Sequence, residues 1–363
     1  MKNQIGIGVS LCVLVTALAT LFPSHAQRVI FPDAKGRQAV GARTQAEQTQ
    51  DLSLAPDRGA RFNPLKIALL HWYLADTTTF FKVGAGPYGV CFDGANVWTA
   101  NGGDNTVTKV RANDGEVLGT FKVGSQPYGV TFDGANIWVS SDQDNLVTKL
   151  RASDGKAEGT FPVGNGPGWM AFDGANVWVP SADGTVRKLR ATDGKNVGTF
   201  PVGVGAIAAA FDGTSIWVTN YGTNTVTKLR ASDGTVLGTF TVGYGPLGIA
   251  FDGANMWIAN RNDGTVSELR AGDGMTLGTF PASAGPYGVA FDGAYVWVSG
   301  DLYLRVFRAT DGVQVANHSI QSQGIAFDGV LFGQPGKTSV FCISFDRRLQ
   351  RDRKGRFRGG KDP

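Results

Sequence analysis

The sequence predicts an all-β fold: a seven-bladed β-propeller of four-stranded antiparallel blades, closed by pairing an N-terminal strand with the last C-terminal blade. Three observations carry this. Tryptophan recurs at Trp98, Trp138, Trp178, Trp217, Trp257 and Trp297, every 39 or 40 residues. Phe-Asp-Gly recurs at Phe92, Phe132, Phe172, Phe211, Phe251, Phe291 and Phe327, which marks seven units. Each unit holds four short runs rich in Val, Ile, Thr, Phe and Trp, separated by Gly, Asn and Asp clusters. A fixed period near 40 with four strands and no helical interval is the pattern of radially repeated sheets.

In the unit around Trp257, the innermost strand is expected from Leu247 to Phe251 and the second from Met256 to Asn260. The third is expected from Thr265 to Arg270, and the outermost from Thr276 to Pro281. Asp-Gly supplies two of the turns, because Gly accepts a positive φ and Asp tolerates tight hairpins. The repeated tryptophan is expected to fill the gap between neighbouring sheets, where a large ring buries most apolar area.

Residues 1–26 read as a secretory signal. Lys2 gives the positive start, Ile5 to Phe22 an apolar run, and Ser24-His25-Ala26 a small-residue cleavage site. An exported protein, periplasmic or extracellular, with no stable membrane span after cleavage, is the expectation. Residues 27–62 are rich in Gln, Arg, Ala and Gly without periodicity and read as a flexible linker. Over 63–76, Asn63 can cap, Pro64 suits a first turn, and Leu65, Leu69 and Trp72 share a face. This predicts a short helix docked on the propeller.

The propeller is placed at 77–346. Thr77 to Val83 resembles an outermost strand with no partners before it. Gln323 to Phe327 gives the last innermost strand, Val330 to Phe332 a shortened second and Ser339 to Ser344 a third. Lending the N-terminal strand to that blade removes an exposed pairing edge. Cys91 and Cys342 fall in units that closure makes neighbours; a disulfide requires α-carbons within about 7 Å, and a buried thiol is the other reading. Residues 347–363 form a basic tail of net charge +6, leaving residues 3–346 at −3. The calculated basicity therefore belongs to the tail, which reads as solvated and disordered, and no nucleic-acid partner is expected.

The runs Ile216-Trp217-Val218-Thr219-Asn220, Val97-Trp98-Thr99-Ala100-Asn101 and Met256-Trp257-Ile258-Ala259-Asn260 follow Pro-x-Gly-x-x-Phe-Asp-Gly or a variant of it. They resemble the YVTN-type β-propeller repeat over about residues 77 to 345. That broad family includes secreted surface-layer and binding proteins and is related in form to streptogramin lyases.

Ligands of such a fold meet the face formed by turns entering the innermost strands and turns after the second strands. Those turns carry the candidate ligand-binding residues Tyr88, Tyr128, Trp169, Tyr221, Leu247, Arg261, Tyr287 and Gln323. Ile207, Asn101, Asp104, Asp142, Asp144, Asn220, Asn260 and Asp301 lie around them. An aromatic and amide rim suits a small molecule, glycan or peptide, and most of these residues are also ordinary turn formers.

Departures from the repeat point to specificity: Gly166-Pro167-Gly168-Trp169-Met170 replaces Gly-Pro-Tyr-Gly-Val, and Glu268 stands where Lys109, Lys149, Lys188 and Lys228 stand elsewhere. Catalytic material is scarce. Beyond the signal the histidines are His71 and His318, and no zinc-like spacing, nucleophile elbow or phosphate loop occurs. Streptogramin lyases use a His on this face, and the corresponding turns here hold none. The expectation is a monomeric, non-catalytic ligand- or protein-binding module without a cofactor. A metal-dependent lyase or lactonase-like enzyme and a cell-surface scaffold are the alternatives. The Asp loops at Asp142-Gln143-Asp144-Asn145 and Asn262-Asp263-Gly264 offer oxygen ligands for a divalent cation.

Overall fold

The computed structural model describes residues 10–16, 76–282, 284–319, 324–327 and 339–344. They form seven four-stranded antiparallel sheets. Six blades each take four consecutive strands, with inner strands Pro87–Phe92, Pro127–Phe132, Ala171–Phe172, Ala206–Phe211, Pro246–Phe251 and Val289–Phe291, numbered here blades 1 to 6. Blade 5 shows the plan: Pro246–Phe251, Asn255–Asn260, Thr265–Arg270 and Thr276–Pro281, within one residue of the sequence reading.

Each first hairpin is fastened by its Phe-Asp-Gly aspartate. In blade 5 the carboxylate of Asp252 accepts from the amides of Ala254 and Asn255 at 2.8 and 2.7 Å, and from Trp257 Nε1 at 2.7 Å. Gly253 follows at φ 100°, with open space where a Cβ would point, so the glycine is required by conformation and not by crowding. The aspartate–indole bond recurs from Trp98 to Asp93, Trp138 to Asp133, Trp178 to Asp173, Trp217 to Asp212 and Trp297 to Asp292, at 2.7–2.8 Å. A buried indole N–H needs an acceptor, and the turn supplies it.

The core lies between blades. Trp98, Ala100 and Val107 of blade 1 pack with Val130, Ile137 and Leu150 of blade 2, and equivalent clusters follow round the ring. The six repeated tryptophans are 0–2 % exposed. In blades 1 to 5 the outer-strand phenylalanine lies beside its own tryptophan, with ring centroids 5.5–5.6 Å apart. It also abuts the outer turn of the next blade, where a Cβ on Gly155 would fall 2.1 Å from Phe121.

In blades 1 to 4 a third-strand lysine completes the joint. Lys109, Lys188 and Lys228, 7–9 % exposed, sit 5.0–5.1 Å from the centroids of Trp98, Trp178 and Trp217. Their ammonium groups donate at 2.6–2.7 Å to the carbonyls of Ala152, Ala231 and Ala271 in the following blade. Lys149 repeats the placement over Trp138 at 5.5 Å and pairs with Glu158 at 3.2 Å. A buried ammonium is tolerated because carbonyl oxygens and a ring face replace its water.

The seventh blade joins the chain ends, as expected, and corrects the strand assignment. Its order is Asp76–Lys82, Ser10–Thr16, Ser339–Ser344, Ile325–Phe327 from the outside inward. Ser339–Ser344 is thus the second strand, paired through Ile325 with Cys342, where Val330 to Phe332 was expected to be second and Ser339 to Ser344 third. A run of three residues between Gly329 and Gly333 is too short in sequence to match the six of Ser339–Ser344. The third position then falls to the β-branched apolar run Ser10–Thr16, inside the stretch whose composition predicts a secretory signal. Most of the expected helix at 63–76, along with the linker, Gln323 and the basic tail, lies outside the described residues. Cys91 is a free thiol, raised well above the usual thiol range by burial and by the charge of Asp93.

Candidate functional site

The inner strands line a channel because their second glycines let neighbouring strands close up. A Cβ on Gly89 would sit 2.3 Å from the carbonyl of Tyr128, and one on Gly248 2.3 Å from that of Tyr287. Both partners are backbone and cannot swing aside. Within the ring is a cavity of about 210 Å³ whose wall takes one apolar side chain from every blade: Val90, Val130, Met170, Ala209, Ile249, Val289 and Ile325. Alternation along the strand dictates this, since the residue before each inward-packed small one faces the axis.

At the mouth, three consecutive blades lay rings side by side. Tyr88 and Tyr128 have centroids 5.3 Å apart, and Tyr128 stacks on Trp169 at 4.8 Å and 27°. Trp169 is half-buried, unlike the six repeated tryptophans, and it borders the cavity. Its placement follows from the deviant turn. Gly168 stands where the tyrosine stands in blades 1 and 2, and a Cβ there would lie 1.9 Å from the carbonyl of Ile207. The backbone of Trp169 leaves its own blade to bridge blade 4: its amide donates to the carbonyl of Ile207 at 2.8 Å, and its carbonyl accepts from Ala209 at 2.9 Å. The inner strand of blade 3 is correspondingly cut to Ala171–Phe172.

Tyr287, from blade 6, carries the guanidinium of Arg261 over its ring, the central carbon 3.8 Å from the centroid. Arg261 also pairs with Asp301 at 3.6 Å. Burial pushes the Tyr128 hydroxyl well above the ordinary phenol range, with the neighbouring phenols of Tyr287 and Tyr88 and the charge of Asp142 adding to it. Burial likewise raises that of Tyr287, against the pull of Arg261. Both remain protonated near neutrality and can only donate or accept hydrogen bonds there, not act as bases.

Of the residues singled out from sequence, Tyr88, Tyr128, Trp169, Tyr287 and Arg261 converge on the mouth. Tyr221 lies further out on blade 4, its hydroxyl donating to Asn262 Oδ1 at 3.2 Å. Leu247 is 4 % exposed, and its carbonyl accepts from Thr219 Oγ1 at 2.8 Å, so it is scaffold to the site. Gln323 lies outside the described residues. The axial residues Val90, Ile249 and Val289 were missed; one-in-two alternation within the inner strand was the signal that could have found them.

The acidic loops serve the backbone. Asp144 and Asp263 accept from the amides of Ser125 and Tyr244 at 2.6 and 2.7 Å, and Asn145 and Asn224 hold Gly166 and Gly245 at 3.0 Å. Among the described residues, no group of three or more His, Cys, Asp or Glu side chains is placed to hold a metal ion.

The chain matches no protein-family model and no curated protein sequence. Among solved structures it is similar to hydrazine synthase of Kuenenia stuttgartiensis, with TM-score 0.60 and 15 % identity, covering 69 % of this chain and 91 % of that one. It is also similar to a streptogramin B lyase, with TM-score 0.59 and 18 % identity, covering 72 % of this chain and 94 % of that one. Identity this low establishes the shared propeller fold and nothing finer.

Proposed function

We propose that this chain is an exported propeller acting as a non-catalytic binding module, with the channel mouth as its recognition surface. The observation that carries the reading is the row Tyr88–Tyr128–Trp169, aromatic faces from three blades that reach, through Trp169, a cavity of about 210 Å³ walled by apolar side chains and inner-strand backbone. Rings held in register by a rigid ring of sheets present apolar area at little entropic cost and suit a flat or apolar ligand group. Most of the surrounding Asp and Asn side chains, Asp142 excepted, are engaged in holding turns or an ion pair, which leaves the aromatic row as the main chemistry the mouth offers.

Titration of the protein with a library of glycans, short peptides and planar aromatic compounds, read by tryptophan emission, tests this. A ligand should perturb emission in the wild type and lose at least tenfold in affinity in Trp169→Ala. A library whose hits bind Trp169→Ala as tightly as wild type would overturn the reading. The enzymatic alternative, for which the likeness to streptogramin B lyase supplies a fold and no residue, is met by assaying turnover of lactone substrates with and without chelator.

Export has a structural consequence. Cleavage after Ala26 removes Ser10–Thr16, so Asp76–Lys82 must move inward one position to pair with Ser339–Ser344. N-terminal sequencing of protein recovered from outside the cytoplasm is expected to start near Gln27; an intact Met1 would reject cleavage.

A further inference from the structure

We infer that the ligand of the channel mouth carries a positive charge next to its flat or apolar group, as an organic ammonium or guanidinium does. This deepens the reading above and rests on it. The turns of the described blades on this face bear six carboxylates, Asp104, Asp142, Asp144, Asp183, Asp263 and Asp301, against two cations, Arg261 and the Arg187 that reaches Asp183 at 3.9 Å from the adjoining strand. Arg187 is paired with Asp183, and Arg261 is spent: its central carbon lies over Tyr287, its Nη2 faces Asp301, and its Nη1, the donor with no hydrogen-bond partner, is sealed from solvent beneath Gly285. An anion would thus meet no available donor on Arg261 and a surplus of negative charge.

A cation meets the opposite. Asp142 is the carboxylate next to the aromatic row, close enough to Tyr128 to act on its hydroxyl and near the turn that leads to Trp169. Asp104, Asp144 and Asp263 are held by backbone amides and Asp301 by Arg261, whereas the side chain of Asp142 makes no such bond among the described contacts. Ring faces of Tyr and Trp attract cations through their quadrupole, most strongly where water is excluded, and a neighbouring carboxylate adds to the same field. Rings, uncompensated carboxylate and a cavity walled by apolar side chains together fit a cationic head with an apolar body.

The experiment compares benzyltrimethylammonium with its uncharged isostere neopentylbenzene and with phenylacetate, by calorimetry at low and high salt. The ammonium probe is expected to bind about tenfold or more tightly than the neutral isostere, with the advantage shrinking as salt is raised. In Asp142→Asn the ammonium probe should weaken about tenfold while the neutral one is unchanged. The salt series needs no variant and so stands if Asp142→Asn fails to fold. Equal binding of the charged and neutral probes, or tighter binding of phenylacetate, overturns the inference while leaving an aromatic binding site in place. Absence of binding by all three overturns it as well, and the library titration with Trp169→Ala then decides separately whether the mouth binds anything.

Discussion

At the scale of single residues, the most informative position is the one where the repeat changes sign. Lys109, Lys188 and Lys228 each bridge a tryptophan face and the carbonyls of the next blade, but blade 5 has Glu268 there, 7 % exposed and hydrogen-bonded by Asn255 Nδ2 at 2.8 Å. Burial, with the charge of Asp252, raises its carboxyl above the usual range. A raised carboxyl binds its proton more tightly folded than unfolded. Stability therefore falls as pH rises from the unfolded value, about 4.3, through the folded one, and the penalty is complete above it. Glu268→Lys should restore the bridge toward the carbonyls of Ala309 and Thr310 and raise stability at pH 7 by about 1–2 kcal/mol, read by urea denaturation. A loss of stability would show that blade 6 does not present those carbonyls as blades 2 to 5 do. Lys228→Met tests the converse, with an expected cost of about 1–3 kcal/mol from the buried carbonyl of Ala271 left without that donor.

At the scale of elements, strands repeated with their markers were legible in the sequence almost to the residue, because Trp, Asp-Gly and alternating β-branched side chains report local periods. What bridges strands was not. The row Tyr88–Tyr128–Trp169 joins residues some 40 apart and depends on how far each inner strand is displaced, which Gly168 sets through its approach to the carbonyl of Ile207. The third strand of the seventh blade was illegible for the same reason: Ser10–Thr16 carries none of the repeat's markers, and an apolar run of that kind serves a secretory signal equally well. Close approach of inner strands yields a direct test. Gly248→Ala places a Cβ 2.3 Å from the carbonyl of Tyr287, so blades 5 and 6 must part. The expected cost is about 1–3 kcal/mol. Because the same carbonyl accepts from Gly248 N at 2.8 Å, Tyr287 and the Arg261 lying on it should shift with it. Weakened binding of the ammonium probe in a variant that still folds would be its signature, and an unperturbed variant would mean the channel is wider than described.

At the scale of the whole molecule, one local device is repeated round the ring, so titration becomes collective. Burial raises the carboxyls of Asp93, Asp133, Asp173 and Asp212, but bonds from the indole and the turn amides outweigh it and hold all four below the ordinary carboxylate range. A lowered folded value contributes stability that is present above the unfolded pKa, about 3.9, and is lost as pH falls through the folded one. Each protonation loosens the charge-assisted bond that orients a buried tryptophan between two blades, and a closed ring transmits that loosening to both neighbours. Stability measured by urea should thus hold level on this account from about pH 8 to 5 and fall between about pH 4 and 2, with more than one proton taken up on unfolding. Asp212→Asn keeps an acceptor for Trp217 Nε1 but cannot titrate, so its acid limb should be shallower by the contribution of one group. An acid limb of unchanged slope would mean that the turn aspartates do not govern acid unfolding, and that the seventh blade, joined from both chain ends, opens first.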